Sequence, residues 1–423
     1  MRFIADLHIH SKYSRATSKD MAPEALWRWA QLKGITVVGT GDFTHPAWLM
    51  ELTEKLEPAG NGLFRLKKEF QSKDIPDSVR ADVFFMLSSE ISCIYKKNGR
   101  TRKIHSIVYV PDLIDCAKIN IALSRIGNLA SDGRPILGLD AKVLLKIVMD
   151  TCHQAMFVPA HVWTPHFSVF GAESGFDSIE ECFEELTPHI HAIETGLSSD
   201  PPMNWRWSAL DRITLISNSD AHSPAKMGRE ANIFDTEISY STIADAITTK
   251  KNFLGTIEFF PEEGKYHYDG HRVCGVNLSP KETIRHNYLC PQCGRRVTVG
   301  VMHRVDKLAD RVDGFKLEGA LPFYSVIPLT EILAETLEVG VASKAVDQEY
   351  QKLIQRIGSE FKILLDSSLP DIERVASPII REAIARVRQG NVHITPGFDG
   401  EFGKIKIFEG AERKQIKGQA TLF

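Results

Sequence analysis

The run Phe3-Ile4-Ala5-Asp6-Leu7-His8-Ile9-His10-Ser11 reads as a short buried strand that ends in metal-capable side chains. The period of two along a strand places His8 and His10 on one face. The same design recurs downstream. Ile35-Thr36-Val37-Val38 runs into Gly41-Asp42-Phe43-Thr44-His45, and Val83-Phe84-Phe85-Met86-Leu87 runs into Ser88-Ser89-Glu90. Ala155-Met156-Phe157-Val158 leads to His161, His191-Ala192-Ile193 to Glu194, and Ile213-Thr214-Leu215-Ile216 to Asp220 and His222. His105 departs from the pattern because it precedes its apolar run, Ile107-Val108-Tyr109-Val110.

Helical stretches separate several of these strands. Pro23 suits a first helical turn, Glu24 to Lys33 is helix-compatible, and Gly34 is a natural stop. Ala141 to His153 is a second such stretch. Alternating strands and helices predict a parallel sheet, open or closed into a barrel, whose carboxyl ends bring the His, Asp and Glu side chains to one face. Imidazoles mixed with carboxylates suit zinc, manganese or iron better than calcium or magnesium. A carboxylate such as Glu90 can bridge two ions ~3.5–4 Å apart, an arrangement used for displacement at phosphorus.

A second cluster lies further along. His271-Arg272-Val273-Cys274 and Cys290-Pro291-Gln292-Cys293 each separate their outer residues by two, the spacing of zinc knuckles. One tetrahedral structural zinc on His271, Cys274, Cys290 and Cys293 is expected, with His267 as competing fourth ligand. The chain has seven cysteines, an odd number that argues against a complete disulfide framework. The overall charge is -3, yet Arg272 to Arg311 is rich in Lys and Arg on an otherwise acidic chain. A positive segment of this kind can steer a polyanion. Arg295, Arg296 and Arg304 follow the cluster and are candidates to grip phosphates.

With 423 residues, 43% of them hydrophobic and 25% charged, the chain is expected to form a soluble globular protein of two or three domains. The division expected is residues 1–262, a module at 263–318, and a mostly helical region at 319–423, with helices near 329–338, 344–365 and 371–389. Asp6, His8 and His10 occupy the place of a signal peptide's apolar run, and no stretch is long enough to span a bilayer, so a cytoplasmic protein without a membrane partner is expected.

Asp6-Leu7-His8-Ile9-His10-Ser11, Gly41-Asp42, Glu90, His105, Pro159-Ala160-His161 and Ser219-Asp220-Ala221-His222 together resemble the ordered motifs of the PHP (polymerase and histidinol phosphatase) family over about the first 230 residues. The resemblance implies an α/β fold, a distorted TIM-like (β/α)7 barrel, with two or three Zn2+, Mn2+ or Fe2+ ions (or Mg2+ in assay). His8, His10, Glu90 and Asp220 would hold one ion, and Glu90, His105 and His161 a second. A third would fall to His222 with Asp42 or His45. The family's usual Thr-Asp-His is Gly41-Asp42-Phe43 here, and Tyr13-Ser14-Arg15 replaces a further histidine. Glu90, Asp220 and Lys12 are the catalytic candidates.

The order of PHP motifs, zinc cluster and a region ending in Pro396-Gly397-Phe398-Asp399-Gly400-Glu401-Phe402-Gly403 resembles the endonuclease Q family of DNA-repair nucleases. Tyr266-His267-Tyr268-Asp269-Gly270-His271-Arg272 and Ser198-Ser199-Asp200-Pro201-Pro202-Met203-Asn204 carry the same likeness. It implies hydrolysis of the phosphodiester 5′ to deoxyuridine, deoxyinosine, deoxyxanthosine or an abasic site by a metal-activated water. Damaged double- or single-stranded DNA would be the partner, with a sliding clamp left open. Exposing the damaged nucleotide costs a few kcal/mol in normal duplex and less at a mispaired lesion. Tyr13, Arg15, Trp163, Phe167, Phe170, Trp205, Trp207, Arg295 and Arg296 are candidate substrate contacts. The alternatives are a PHP-type small-molecule phosphatase and a non-catalytic DNA-binding protein with a decayed site.

Overall fold

The computed structural model describes residues 1–410, 412 and 413; the last part of the expected C-terminal region (411 and 414–423) lies outside the described residues. The strands of the N-terminal part are β1 Arg2–Asp6, β2 Val37–Gly39, β3 Leu56–Pro58, β4 Phe64–Leu66, β5 Phe84–Lys97, β6 Arg100–Val110, β7 Ile136–Leu137, β8 Met156–Pro159, β9 Ala192–Glu194, β10 Thr214–Ile216, β11 Ala231–Asp235 and β12 Phe253–Glu258. The first helix spans Pro23–Lys33 and stops at Gly34, whose φ of 85° needs a residue without a Cβ. The helix expected from Ala141 ends at Thr151.

The sheet is mixed, which corrects the expectation of a parallel one. β1 pairs parallel with β2, and β2 with β5. β5 pairs antiparallel with β6, β6 with β8, β1 with β11, and β11 with β12. The reason at β5–β6 is local. Asn98 and Gly99 both adopt left-handed backbone, with φ of 54° and 73°, the two-residue turn that folds a right-twisted strand back on itself. Glu90 consequently lies inside a long strand rather than at a strand end, and His105 returns to it on the antiparallel partner. Ser92 faces His105 and Glu90 faces Ile107, so Glu90 and His105 are diagonal neighbours on one face.

The hydrogen-bonded ladder is not a closed barrel among the described residues, because β9 and β10 form a separate parallel pair. The strands nevertheless surround a common interior. Ala5, Val37, Met86, Ile107, Val158, Ala192 and Ile216, from β1, β2, β5, β6, β8, β9 and β10, pack in one cluster with Ile243 and Ile247 of the helix Tyr240–Thr249. What is established is a mixed α/β fold.

After β12 come the hairpin β13 Asp269–His271 and β14 Val276–Leu278, then the helices Pro280–Arg285 and Val301–Leu308. β15 Phe323–Ser325 adds to the main sheet as a parallel partner of β12. The chain then turns helical, through Leu329–Leu337, Lys344–Arg356, Leu369–Glu373 and Pro378–Arg388, with a π-helical segment at Lys362–Asp366. The hairpin β16 His393–Thr395 and β17 Lys404–Lys406 follows. No helix among the described residues is long and apolar enough to cross a membrane.

Candidate metal centre

Backbone hydrogen bonds set segments 8–10 and 220–221 side by side: Asp220 N donates to His8 O and His10 N to Ala221 O, each at 3.0 Å. Gly41 lies against the same segment, and a Cβ there would stand 2.3 Å from Ile9 O. Asp42, His161 and Asp220 all hold left-handed backbone, with φ of 52°, 29° and 47°. Strain at non-glycine residues is characteristic of sites whose geometry the surrounding fold imposes.

Two groups of donor atoms result, and they share Glu90. In the first, His10 Nε2 lies 3.2 Å from Glu90 Oε2 and 3.0 Å from Asp220 Oδ1, while His8 Nε2 lies 3.7 and 3.8 Å from the same atoms. In the second, Glu90 Oε1 is 2.7 Å from His105 Nδ1 and 2.9 Å from His161 Nε2, and the two imidazole nitrogens are 3.3 Å apart.

The residues around these groups fix the imidazoles. His8 Nδ1–H donates to Glu194 at 3.0 Å, and His10 Nδ1–H donates to Asp42 at 3.0 Å. That tautomer turns the Nε2 lone pairs toward the carboxylates, so acceptor faces acceptor. His8 Nε2, His10 Nε2 and Asp220 Oδ1 are accordingly buried with no hydrogen-bond partner. Convergent orphaned acceptors call for a cation, and donors ~2.1 Å from a tetrahedral ion stand about 3.4 Å from one another. The first group fits a metal ion on both counts.

The electrostatics make the same demand. Burial opposes charge on His8 and His10, yet Glu194 and Asp42 raise both imidazoles well above the ordinary histidine value, so the surrounding carboxylates call for a positive charge at each Nε2, either a proton or a metal ion. Burial also opposes ionisation of Glu90, but His105 and Arg134 hold its carboxyl well below the usual carboxylate range. Burial pushes His105 down to about 4, against the pull of Glu90.

The remaining predicted residues divide. His222 lies beside His10, with ring centroids 4.6 Å apart, and its Nδ1–H donates to Asp220 O. The structure does not gather it with Asp42 or His45. Asp42 is spent on His10, the Ser11 amide and hydroxyl, and Ser14, so its oxygens orient His10 instead. His45 stacks on Tyr13 at 4.4 Å. The Lys12 ammonium is bonded to Glu51 at 2.8 Å. Arg15 is exposed. Phe167 covers His105 at 4.7 Å, which keeps it beside the centre.

Trp163 is buried, donates to Asn204 Oδ1 at 2.8 Å, and packs with Phe170 and Trp207. Trp205 packs on Phe323. Trp163 and Phe170 are buried and do structural packing, whereas Trp205 and Trp207 are half-buried. Two residues of the centre escaped the sequence reading. Glu194 was seen at a strand end but not as the partner of His8. Arg134 Nη1 reaches Glu90 Oε2 at 2.9 Å from a loop without periodicity, so nothing in its sequence context signals it.

His271, Cys274, Cys290 and Cys293 form a third group, with His271 Nδ1 3.6 Å from Cys293 Sγ. Gly294, at φ of 70°, closes the turn by donating to Cys290 O. The amides of Cys293 and Gln292 hold the Cys290 thiol below its ordinary value against the effect of burial, while Cys293 and Cys290 push the neighbouring Cys274 thiol up to about 11. The set fits a tetrahedral zinc. His267 is not in it: it is buried against Tyr268. Arg295 and Arg296 are exposed. Arg304 is not; its guanidinium donates to Phe170 O, Phe176 O and Asp177, each at 2.7 to 2.8 Å, and staples the module to the main body.

Residues 328–391 match the family described as the MJ0043 C-terminal domain. The chain is 31% identical over 254 residues to the uncharacterized protein MJ0043 of Methanocaldococcus jannaschii, a match covering 58% of this chain and 31% of that longer protein. It is 29% identical to the uncharacterized protein YqxK of Bacillus subtilis over 96% of this chain and 99% of the relative. Among solved structures, it is similar to the lesion-specific endonuclease PfuEndoQ of Pyrococcus furiosus, at 30% identity and a TM-score of 0.85 over 100% of this chain and 99% of that one. It is also similar to an endonuclease Q complexed with a 27-mer duplex carrying an abasic lesion at the active site, at 30% identity and a TM-score of 0.82 over 97% of both chains.

Proposed function

The chain belongs to the endonuclease Q family, and from that premise we propose that it is a metal-dependent DNA endonuclease of lesion repair, which hydrolyses the phosphodiester 5′ to a deaminated base or an abasic site. The observation that carries this reading is the pair of donor groups joined by Glu90, on a chain similar from end to end to an enzyme crystallised with lesion-bearing duplex at its active site.

His8, His10, Glu90 and Asp220 would hold one divalent ion, and Glu90, His105 and His161 the other. When bound, such ions supply a nucleophilic water at neutral pH and neutralise charge on the phosphoryl oxygens. The protein's own part is orientation and charge. Glu194 and Asp42 lock the imidazole tautomers, a role in which loss of a carboxylate partner weakens metal affinity or activity. Arg134 brings a permanent cation beside Glu90, where charge grows on the scissile phosphate. Phe167 walls off His105 from solvent. Zinc, manganese and iron suit this donor set, and a third ion is not part of the reading because Asp42 has no oxygen to spare.

We read the ring of β1, β2, β5, β6, β8, β9 and β10 as a distorted PHP-type barrel over residues 1–262. Residues 263–318 form the module built on one structural zinc, and residues 319–423 the C-terminal region. DNA with a damaged base is the partner; the sliding clamp gains no support from the relatives.

The test is a labelled duplex with one deoxyuridine, incubated with the metal-loaded protein beside a chromogenic phosphate monoester. Cleavage at the lesion with negligible monoester turnover is expected. Turnover of the monoester alone would replace this reading with the small-molecule phosphatase, and tight binding of the duplex without cleavage would point to the decayed-site alternative.

A further inference from the structure

The signature stretches Tyr266–Arg272 and Pro396–Gly403, which supply no residue to the two donor groups that share Glu90, are fastened to each other. Tyr268 N donates to Gly397 O at 2.9 Å, Gly400 N to Lys265 O at 3.0 Å, and Arg272 N to Asp399 Oδ2 at 2.7 Å. Thr298 Oγ1 donates to the other oxygen of Asp399 at 2.6 Å, so each oxygen of that carboxylate has a partner.

This union leaves an uncommon surface. Phe402 is 68% exposed and Tyr266 43% exposed, although large aromatics normally seek cover. Lys265 Nζ stands 4.5 Å above the Phe402 ring. Gly400 lies between Tyr266 and Arg272: a Cβ there would stand 3.6 Å from the Tyr266 hydroxyl and 3.7 Å from Arg272 Nη1. Lys404 is exposed close by, and Glu401 is the exposed acid of the turn. Exposed rings edged by cations are what proteins use to stack bases while following a phosphate backbone.

One side of this surface meets the loops that lead away from the metal centre. Lys265 and Tyr266 line a cleft of about 60 Å³ with Pro165 and Ser198. Those two residues follow closely on His161, of the second donor group, and Glu194, which orients His8.

We propose that Tyr266 and Phe402, flanked by Lys265 and Arg272, form a platform that stacks an unstacked nucleotide of the DNA beside the cleavage site. The proposal rests on the endonuclease reading and deepens it. Extruding a damaged nucleotide disrupts stacking in its vicinity, and a platform next to the centre would hold the opened strand.

The experiment measures binding of a fluorescent deoxyuridine duplex to the full-length, metal-loaded protein. In the Tyr266→Ala/Phe402→Ala double variant, affinity falls at least about five-fold with an unchanged salt slope; Tyr266→Trp and Phe402→Trp restore it. Lys265→Ala and Arg272→Ala instead each flatten the salt slope by about one. Should the double variant fold poorly, 5-iododeoxyuridine placed on either side of the lesion is photocrosslinked to the wild-type protein, and Tyr266 or Phe402 is the expected adduct. Wild-type affinity in a double variant with normal melting, or crosslinks confined to other residues, overturns the platform. Failure of the wild-type protein to cut the duplex overturns the endonuclease reading, so the two are told apart.

Discussion

The metal centre and the cysteine module solve one problem, gathering donors around a cation, in opposite ways. The module takes its ligands from residues 271 to 293 on two adjacent turns, over a small apolar cluster of Val276, Leu278, Cys290 and Val297. The centre draws on residues 8 to 220, and its donors ride on strands of a large core that exists without them. A cation bound in the module would therefore contribute folding energy, whereas cations bound at the centre would enter a pocket that the fold has already shaped. Chemistry and stability should separate cleanly between the two.

The sharpest test is Glu90→Gln, which alters the one residue common to both donor groups. Lesion cleavage should fall by more than about a thousand-fold, while the thermal midpoint stays within a few degrees. A comparable loss of folding stability would erase the contrast. Cys290→Ser is its mirror image: one zinc per chain is lost, and amide exchange should show the module opening, at a cost of about 4 kcal/mol or more. Zinc content and hydrogen exchange, measured together, decide it.

Arg304→Ala asks how tightly the module is held to the main body. The buried guanidinium makes three hydrogen bonds there, and their loss should cost about 3 kcal/mol in urea unfolding. Asp42→Asn keeps the shape but weakens the grip on His10. Metal affinity should drop about ten- to a hundred-fold, read by competition with a chelator, without effect on the module's zinc.

The smallest effect concerns pH. Burial, with Asp200 nearby, raises Glu258 from 4.5 to about 8. Its protonated form thus stabilises the fold fully below pH 4.5, and that contribution shrinks as pH rises and is gone above about 8. In Glu258→Gln the fall in urea midpoint across this interval should be shallower than in the wild type; parallel curves would refute the assignment.

Much of the centre was legible residue by residue. His8 and His10 announce themselves by the strand period, and Glu90, His161 and Asp220 by their place after apolar runs. The strand direction at β5–β6 is antiparallel where alternating strands and helices predict parallel, and Asn98-Gly99 is the local hairpin signal for it. Lys12 and Trp163 show the limit from the other side. Their types suit catalysis and base stacking, but Glu51 neutralises one and the core encloses the other. Arg304 reads as a phosphate ligand by its neighbours in sequence and is a staple by its neighbours in space.

Residue type and local spacing determined, from the chain alone, which side chains can bind metal and that the cysteine ligands form one set, because a knuckle needs only a few consecutive residues. Only the tertiary structure decided which imidazole tautomers face inward, that Asp42 serves His10, that Arg134 meets Glu90, and that two remote signature stretches join into one aromatic surface. Those outcomes depend on register and burial, which arise from packing the whole chain and are not written in the spacing of a short segment.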